Sequence, residues 1–166
     1  MIDDALREAA RRVLDACRAR KLTVVTAESC TGGLVAAALT EIPGSSDVVD
    51  RGFVTYSDAA KQAMLGVPAQ VLKDFGAVSR ETAEAMARGA LARSSADLAV
   101  SVTGIAGPGG GSAQKPVGLV HFAAMARGGQ SISREKRFGE IGRGEVRMRS
   151  VAEALDMLEM LATAKA

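Results

Sequence analysis

The sequence is poor in aromatic residues, which make up 3% of the chain, and it contains only two cysteines and one histidine. Because large rings are scarce, the core has to be built from aliphatic side chains and alanine. The 21 basic and 19 acidic residues leave a formal net charge of +2, which argues against a general nucleic-acid or membrane surface. No apolar run reaches membrane-spanning length, and the charged start MIDDALREAARR lacks the apolar segment of a signal peptide. We therefore expect a cytoplasmic protein that binds neither nucleic acid nor membranes.

The shortage of cysteine and histidine also limits the chemistry. Cys17 and Cys30 lack metal-ligand spacing, and a single pair is weak support for a disulfide. Cys17 falls on an apolar helical stripe, which predicts a core position. His121 lies inside a predicted strand over residues 117–125, away from the loops at the strand ends, so a Ser-His-Asp triad is poorly supported. We expect no metal and no cofactor, and lysine is the remaining candidate for a catalytic base.

The residue spacing predicts an alternation of helices and strands. Apolar stripes and capping residues predict helices at residues 3–20, 32–40, 58–65, between Pro68 and Gly76, after Ser79, and at 143–163. Apolar and β-branched runs predict strands at residues 22–26, 48–56, 98–103, 118–125 and 130–138. A glycine turn joins the last two strands as a hairpin, so one strand is antiparallel. The pattern predicts one α/β domain over residues 1–166, with helices on both faces of the sheet.

Three of the predicted strands end in unusual polar loops. These loops are TAESCTGG at residues 26–33, TYSD at 55–58 and TGIAGPGGGS at 103–112. Ligands bind beyond the carboxyl ends of parallel strands, and such ends lie at one edge of the sheet. If the strands are parallel, the three loops therefore meet there, and we expect a site at that edge.

The first loop offers a candidate nucleophile. Ser29 precedes a helix predicted to start near Thr31, whose free N–H groups would stabilise an alkoxide or a bound anion. Gly32 and Gly33 let another backbone or a ligand approach closely. The alternative is that Ser29 or Thr31 is only a helix cap. Cys30 is a rival nucleophile, but it has little activation beyond the helix dipole, and we favour a packed side chain.

The second loop offers a candidate base. Lys61 lies in the first turn of the predicted helix 58–65, where the dipole and burial both disfavour a protonated amine. Tyr56, the only tyrosine, is placed either to bridge Lys61 to Ser29 or to orient a substrate. The alternatives are a solvated lysine and a tyrosine at a sheet edge. A short-chain dehydrogenase site is rejected, because it needs Y-x-x-x-K and this chain has one more residue between the two.

The third loop and the last helix offer candidate ligand contacts. The glycine-rich loop is either a flexible connector or a backbone that wraps a ligand. Arg143 and Arg147 lie on the inward stripe of the last helix, at the end where cations oppose the dipole. An acidic neighbour, Glu140 or Glu145, would compensate them. A substrate phosphate is the other candidate, since guanidinium groups match phosphate geometry.

Four segments together resemble a known family. They are AESCTGG, RGFVTYSDAAKQAMLGV, AVSVTGIAGPGGGSAQKPVGLVHFA and GRGEVRMRSVAEAL, and they resemble the carboxy-terminal domain of the CinA competence/damage-inducible proteins from about residue 5 to residue 162. That family includes stand-alone nicotinamide-nucleotide amidohydrolases. The resemblance implies a three-layer α/β/α sandwich with a mixed, mostly parallel sheet of about five strands, and usually a homodimer. It also implies hydrolysis of the carboxamide of nicotinamide mononucleotide to nicotinate mononucleotide and ammonia, in pyridine-nucleotide recycling.

The resemblance also implies roles for individual residues. Ser29, Tyr56 and Lys61 match the family's metal-free catalytic set. Candidate substrate-binding residues are Glu28, Cys30, Thr31, Gly32, Gly33, Thr103, Gly104, Gly107, Arg143 and Arg147. Glu28 is expected either to complement the cationic ring of the substrate or to be a structural partner of Lys61. The family commonly has an acidic residue directly before the first arginine of its last motif, whereas Gly142 precedes Arg143 here, so Arg147 is the better matched arginine.

Two other functions stay open at this point. The glycine loops and arginines suit a non-catalytic nucleotide-binding module, and the site also suits an amidase for another small amide. The amino-terminal domain of longer CinA proteins, associated with pyrophosphatase activity, is not expected in this sequence.

Overall fold

Helices and strands alternate along the chain in the predicted order. The computed structural model describes residues 2–165. Its elements are α1 (Asp4–Arg20), β1 (Val24–Glu28), α2 (Leu34–Thr40), a 3₁₀ turn (Ser45–Asp47), β2 (Val49–Val54), α3 (Asp58–Leu65), α4 (Ala69–Phe75), α5 (Arg80–Ala92), β3 (Leu98–Gly104), β4 (Leu119–Ala126), β5 (Ser131–Arg137) and α6 (Arg143–Thr163). Ser79 caps α5, as the sequence indicates, and Ser57 caps α3, through hydrogen bonds from Thr82 N and Ala60 N.

The five strands form one mixed sheet in the order β2-β1-β3-β4-β5. β1 pairs in parallel with β2 and β3, whereas β4 is antiparallel to both β3 and β5. Four strands therefore run in one direction and β4 runs in the other. Glu28, the last residue of β1, lies opposite Val54 of β2 and Val102 of β3. This register brings the carboxyl ends of the three parallel strands to one edge.

Helices cover both faces of the sheet, which confirms the predicted three-layer sandwich. α1, α2 and α6 pack with strand residues such as Val100 and Phe122 on one face. α3, α4 and α5 pack with the alternate residues, such as Ala99 and Ala123, on the other face. Phe122 is the only aromatic side chain among the buried residues of the described chain, so the core is aliphatic as expected. Cys17 lies in this core as a free thiol.

Two predicted boundaries differ from the observed ones around the first loop. The first strand covers Val24–Glu28 instead of residues 22–26, because the Thr23 N–H and hydroxyl bind the Asp97 carboxylate before the ladder begins. The following helix starts at Leu34 instead of residue 32. Gly32 and Gly33 have φ values of 58° and 98°, which lie outside the right-handed helical region. The two glycines thus form a turn that separates Ser29 from the helix.

None of the helices within residues 2–165 combines the length and apolar character that crossing a membrane requires.

Candidate active site

The three polar loops meet at the carboxyl edge of the parallel strands and line a cleft of about 280 Å³. The loop after β1 contributes Ser29 and Cys30, and the loop after β3 contributes residues 105–107 together with Gly109 and Gly110. The connection into α3, α3 itself, the segment before α5, the end of β3 and the start of α6 complete the walls with Tyr56, Asp58, Lys61, Ala77, Val78, Thr103, Gly104 and Arg143. Tyr56, Asp58 and Arg143 are exposed, and we call these three residues the cleft mouth.

Ser29 and Lys61 are in direct contact at the base of the cleft. The Lys61 Nζ lies 3.0 Å from the Ser29 Oγ and donates a hydrogen bond to the Thr55 carbonyl oxygen at 2.9 Å. Lys61 is 1% exposed and forms no ion pair with any carboxylate in the described chain. Burial lowers the pKa of Lys61, and the nearby Asp58 carboxylate opposes that effect. A neutral amine that donates to a carbonyl has its lone pair free to accept the Ser29 proton.

The backbone around Ser29 is held from two sides. The Ser29 N–H donates to the Val102 carbonyl of β3, and the Ser29 carbonyl accepts from the Gly32 N–H at 3.0 Å. The adjacent Glu28 carbonyl accepts from Thr55 N of the β2 segment that also binds Lys61. The nucleophile candidate and the base candidate are therefore positioned by the same three strand ends.

Glu28, not Ser29 or Thr31, caps helix α2. Its carboxylate accepts hydrogen bonds from Val35 N at 2.8 Å, Ala36 N at 3.1 Å and the Thr26 hydroxyl at 3.2 Å. Glu28 is 1% exposed and is absent from the walls of the cleft. The expectations that Glu28 meets the substrate or pairs with Lys61 are therefore not met, because the helix N-terminus engages its carboxylate. Ser29 is correspondingly free of a capping role.

Tyr56 lies at the cleft mouth instead of between Lys61 and Ser29. It is 60% exposed, and its hydroxyl accepts a hydrogen bond from the Arg143 guanidinium at 2.7 Å. Arg143 also donates to the Gly107 carbonyl at 2.9 Å. Of the two roles expected for Tyr56, the phenol bridge is not observed, because the lysine reaches the serine directly. Tyr56 and Arg143 instead connect the second and third loops at the rim.

Arg147 supports the first loop from behind and does not line the cleft. Its guanidinium donates to the Cys30 carbonyl at 3.1 Å and to the Thr31 carbonyl at 3.2 Å. These main-chain oxygens compensate its charge, whereas Glu145 pairs with Arg149. The better sequence match of Arg147 thus does not place it in the cleft, and Arg143 is the arginine that faces the open space.

The other predicted binding residues divide between the wall and its support. Thr103, Gly104 and Gly107 line the cleft, and the Thr103 hydroxyl donates to the Ala77 carbonyl at 2.7 Å. Thr31, Gly32 and Gly33 do not line it. Thr31 is buried, and its hydroxyl has no hydrogen-bond partner within the described part of the chain.

Two rival chemical groups are poorly suited to catalysis here. Cys30 is 5% exposed, and burial raises the pKa of its thiol to about 11. The thiolate is therefore scarce at neutral pH. His121 lies on β4 outside the cleft walls, and burial lowers its pKa. Across residues 2–165, no three His, Cys, Asp or Glu side chains are grouped to hold a metal ion.

The sequence assigns no role to several residues of the site: it places Thr55 and Asp58 only within the second loop and does not predict Ala77 or Val78. The Thr55 carbonyl holds Lys61, and Asp58, Ala77 and Val78 line the cleft. Asp58 carried a signal, since it lies one helical turn before Lys61 and on the same side of α3. Ala77 and Val78 are small apolar residues in a loop before α5, and no residue type marks them.

Comparisons with known proteins agree with the resemblance. A family model described as the CinA C-terminal domain matches residues 6–162. The protein named nicotinamide-nucleotide amidohydrolase PncC from Escherichia coli strain K12 is 49% identical over 158 residues, which are 95% of this chain and 95% of that protein. A putative competence-damage inducible protein from Caldicellulosiruptor bescii is 61% identical over 108 residues, or 65% of this chain, and the match spans 26% of that longer protein.

A solved structure of a similar protein has the same fold. The crystal structure of the competence/damage inducible protein CihA from Agrobacterium tumefaciens superposes with a TM-score of 0.95 at 59% identity, and the match covers 97% of this chain and 98% of that one. Since the family model covers almost the whole sequence and the fold agrees throughout, the chain belongs to the CinA C-terminal domain family.

Proposed function

We propose that this protein hydrolyses the carboxamide of nicotinamide mononucleotide to nicotinate mononucleotide and ammonia, with Ser29 as the nucleophile and Lys61 as the base. The observation that carries the mechanism is the 3.0 Å contact between the buried Lys61 Nζ and the Ser29 Oγ. The substrate comes from the name of a relative that is 49% identical over 95% of both chains.

In the first half-reaction, the neutral Lys61 amine accepts the Ser29 proton as the Oγ attacks the amide carbon. The tetrahedral oxyanion needs hydrogen-bond donors nearby. The Cys30 N–H group suits this role because Cys30 lines the cleft and its N–H donates to no other backbone group within residues 2–165, whereas the Ser29 and Gly32 N–H groups are already engaged. The protonated Lys61 then gives its proton to the departing amide nitrogen, which leaves as ammonia.

The second half-reaction restores the serine. Lys61 is neutral again and accepts a proton from water as the water attacks the acyl-enzyme. The C–O bond to Ser29 breaks, the Ser29 oxygen regains a proton from Lys61, and the nicotinate carboxylate is released. The net reaction consumes one water and yields one ammonia, and it requires no redox step.

The nucleotide phosphate is assigned to the cleft mouth. Arg143 is exposed there beside the glycine-rich loop, while Arg147 is engaged with main-chain carbonyls. Guanidinium donors suit phosphate oxygens, and glycines let the backbone approach them. In this assignment Tyr56 orients Arg143 and the substrate and takes no part in proton transfer.

The test is ammonia release from nicotinamide mononucleotide with a chelator present. We expect one ammonia per nicotinate mononucleotide, and Ser29→Ala should reduce the rate by about a thousandfold or more while nucleotide binding persists. Cys30→Ala is the matched control at the neighbouring position and should retain turnover. Full activity of Ser29→Ala would rule out the serine mechanism. A wild-type protein that binds the nucleotide without releasing ammonia would favour the non-catalytic module, and release from other small amides only would favour a different amidase.

A homodimer in the cytoplasm is part of the same proposal and rests on the family resemblance. Analytical ultracentrifugation of the purified protein tests the dimer, since a sedimentation mass of one 17.1 kDa chain would contradict it.

A further inference from the structure

The charged side chains that line the cleft are few: one is buried at the reaction centre and two are exposed at the mouth. Asp58 is the only acidic residue in the walls, and Arg143 is the only exposed basic one. The remaining basic residue, Lys61, is buried against Ser29 with its pKa lowered. A substrate therefore meets one negative and one positive side chain at the mouth of the cleft.

The Asp58 carboxylate lies in the first turn of α3, where it complements the helix dipole, but it has no hydrogen-bond partner within residues 2–165. Asp58 is the first residue of α3, and only its backbone carbonyl accepts a hydrogen bond, from the Gln62 side chain. Two other first-turn acids are paired, Asp4 with Arg7 and Glu145 with Arg149, whereas Glu81 of α5 is unpaired within the described residues and lies outside the cleft. No ion pair within residues 2–165 uses Asp58. Its charge is available to a ligand.

Asp58 is also close to the chemistry. It precedes Lys61 by three residues in the same helix, a spacing that places two side chains on one face. The effect of its carboxylate on the Lys61 pKa reflects the same proximity. A cationic group bonded near the scissile carbonyl would lie within reach of this carboxylate when the carbonyl is at Ser29.

Nicotinamide mononucleotide has such a group. Its ring nitrogen carries the ribose and is a quaternary pyridinium cation, two ring bonds from the carbon that bears the carboxamide. Its phosphate lies at the opposite end of the molecule. The substrate carries one cation near the amide and one anion further away, and the cleft mouth offers one acid on the helix of Lys61, Asp58, and one base on α6, Arg143.

We propose that Asp58 recognises the pyridinium cation and makes the site selective for N-substituted, charged nicotinamides over neutral rings with the same carboxamide. The inference rests on the proposed function, because that function supplies the substrate. It assigns specificity to a carboxylate that the Ser29–Lys61 chemistry does not require.

The test compares nicotinamide mononucleotide with its reduced form, which keeps the ribose, phosphate and carboxamide but has a neutral dihydropyridine ring. Both ligands are titrated calorimetrically into Ser29→Ala protein at low ionic strength, with and without Asp58→Asn. Binding is measured instead of turnover because Asp58 also raises the pKa of Lys61. We expect Asp58→Asn to weaken binding of the oxidised nucleotide by about fivefold, the scale of an exposed ion pair, and to leave binding of the reduced form unchanged. Added salt should shrink the difference.

Two further variants make the result specific. Asp58→Glu keeps the charge and should keep most of the preference for the oxidised nucleotide. Glu81→Gln removes the acid in the first turn of α5, a helix with a serine cap like that of α3, and should change neither affinity because Glu81 is outside this cleft. Equal weakening of both ligands by Asp58→Asn, or no weakening of either, would overturn the proposal. Failure of the wild-type protein to release ammonia would overturn the proposed function instead, and the two outcomes are measured separately.

Discussion

The turn between β1 and α2 buries its polar side chains, whereas the cleft mouth exposes them. Glu28 at the start of the turn and Lys61 of α3 beside it are each 1% exposed, and the Glu28 carboxylate is bound by three donors of the protein itself. At the mouth, Tyr56 is 60% exposed and Asp58 and Arg143 are open to solvent. Because hydrogen bonds within the protein hold the buried side chains in one geometry before a ligand binds, these side chains are preorganised for catalysis. Groups open to water keep their charges available for recognition. This difference in burial predicts that substitutions of the buried groups at the turn lower kcat, and that substitutions at the cleft mouth raise KM.

The largest effect is expected from removing the buried amine. Lys61→Met keeps a side chain of similar length but leaves Ser29 without a base, so kcat should fall by about a thousandfold. The free energy of unfolding should hold or rise, because a buried amine without a carboxylate partner is replaced by an apolar group. Steady-state ammonia release and thermal unfolding measure the two effects. Activity within tenfold of wild type would contradict the role of Lys61.

The dependence of the reaction rate on pH should reflect the titration of the Lys61 amine. Neutral Lys61 is the active form, so activity is retained above its pKa and lost as the pH falls through it, by about tenfold per pH unit on the acid side. Burial lowers that pKa below the ordinary range of a lysine, so the activity should extend to a lower pH than an ordinary lysine would allow. Asp58→Asn removes the charge that raises this pKa and should move the acid limb to lower pH. A limb unaffected by Asp58→Asn would assign the titration to another group.

The bounds of several helices can be predicted from local sequence patterns, but the contacts of the buried turn between β1 and α2 cannot. Ser57 and the glycine after Leu65 mark both ends of α3, and the predicted helix at residues 143–163 coincides with α6. The role of Glu28 has no such signal, because its donors follow seven and eight residues later, and they come within reach only through the turn at Gly32 and Gly33.

The contacts of Arg147 in α6 likewise cannot be predicted from local sequence patterns. Helical spacing correctly places Arg147 on the inward side, but its partners are main-chain carbonyls, which every residue has. A residue pattern indicates only side-chain or ligand partners such as an acid or a phosphate, and contacts with main-chain oxygens leave no such pattern. The Ser29–Lys61 contact was expected because both residues follow ends of adjacent parallel strands, whereas the direct approach without Tyr56 depends on side-chain geometry.

The smallest effects separate the two arginines and test the comparison within one helix. Arg143→Met removes the exposed cation at the mouth and should raise KM for nicotinamide mononucleotide by about tenfold with kcat nearly unchanged.

Arg147→Met removes two hydrogen bonds to the turn and should lower the free energy of unfolding by about 1–3 kcal/mol, with a loss in kcat and little change in KM. Arg149→Met, which breaks only an exposed pair with Glu145, is the control and should change neither parameter by more than about twofold. If Arg147→Met raised KM like Arg143→Met while stability held, the buried turn would share substrate recognition with the mouth, and the division between them would fail.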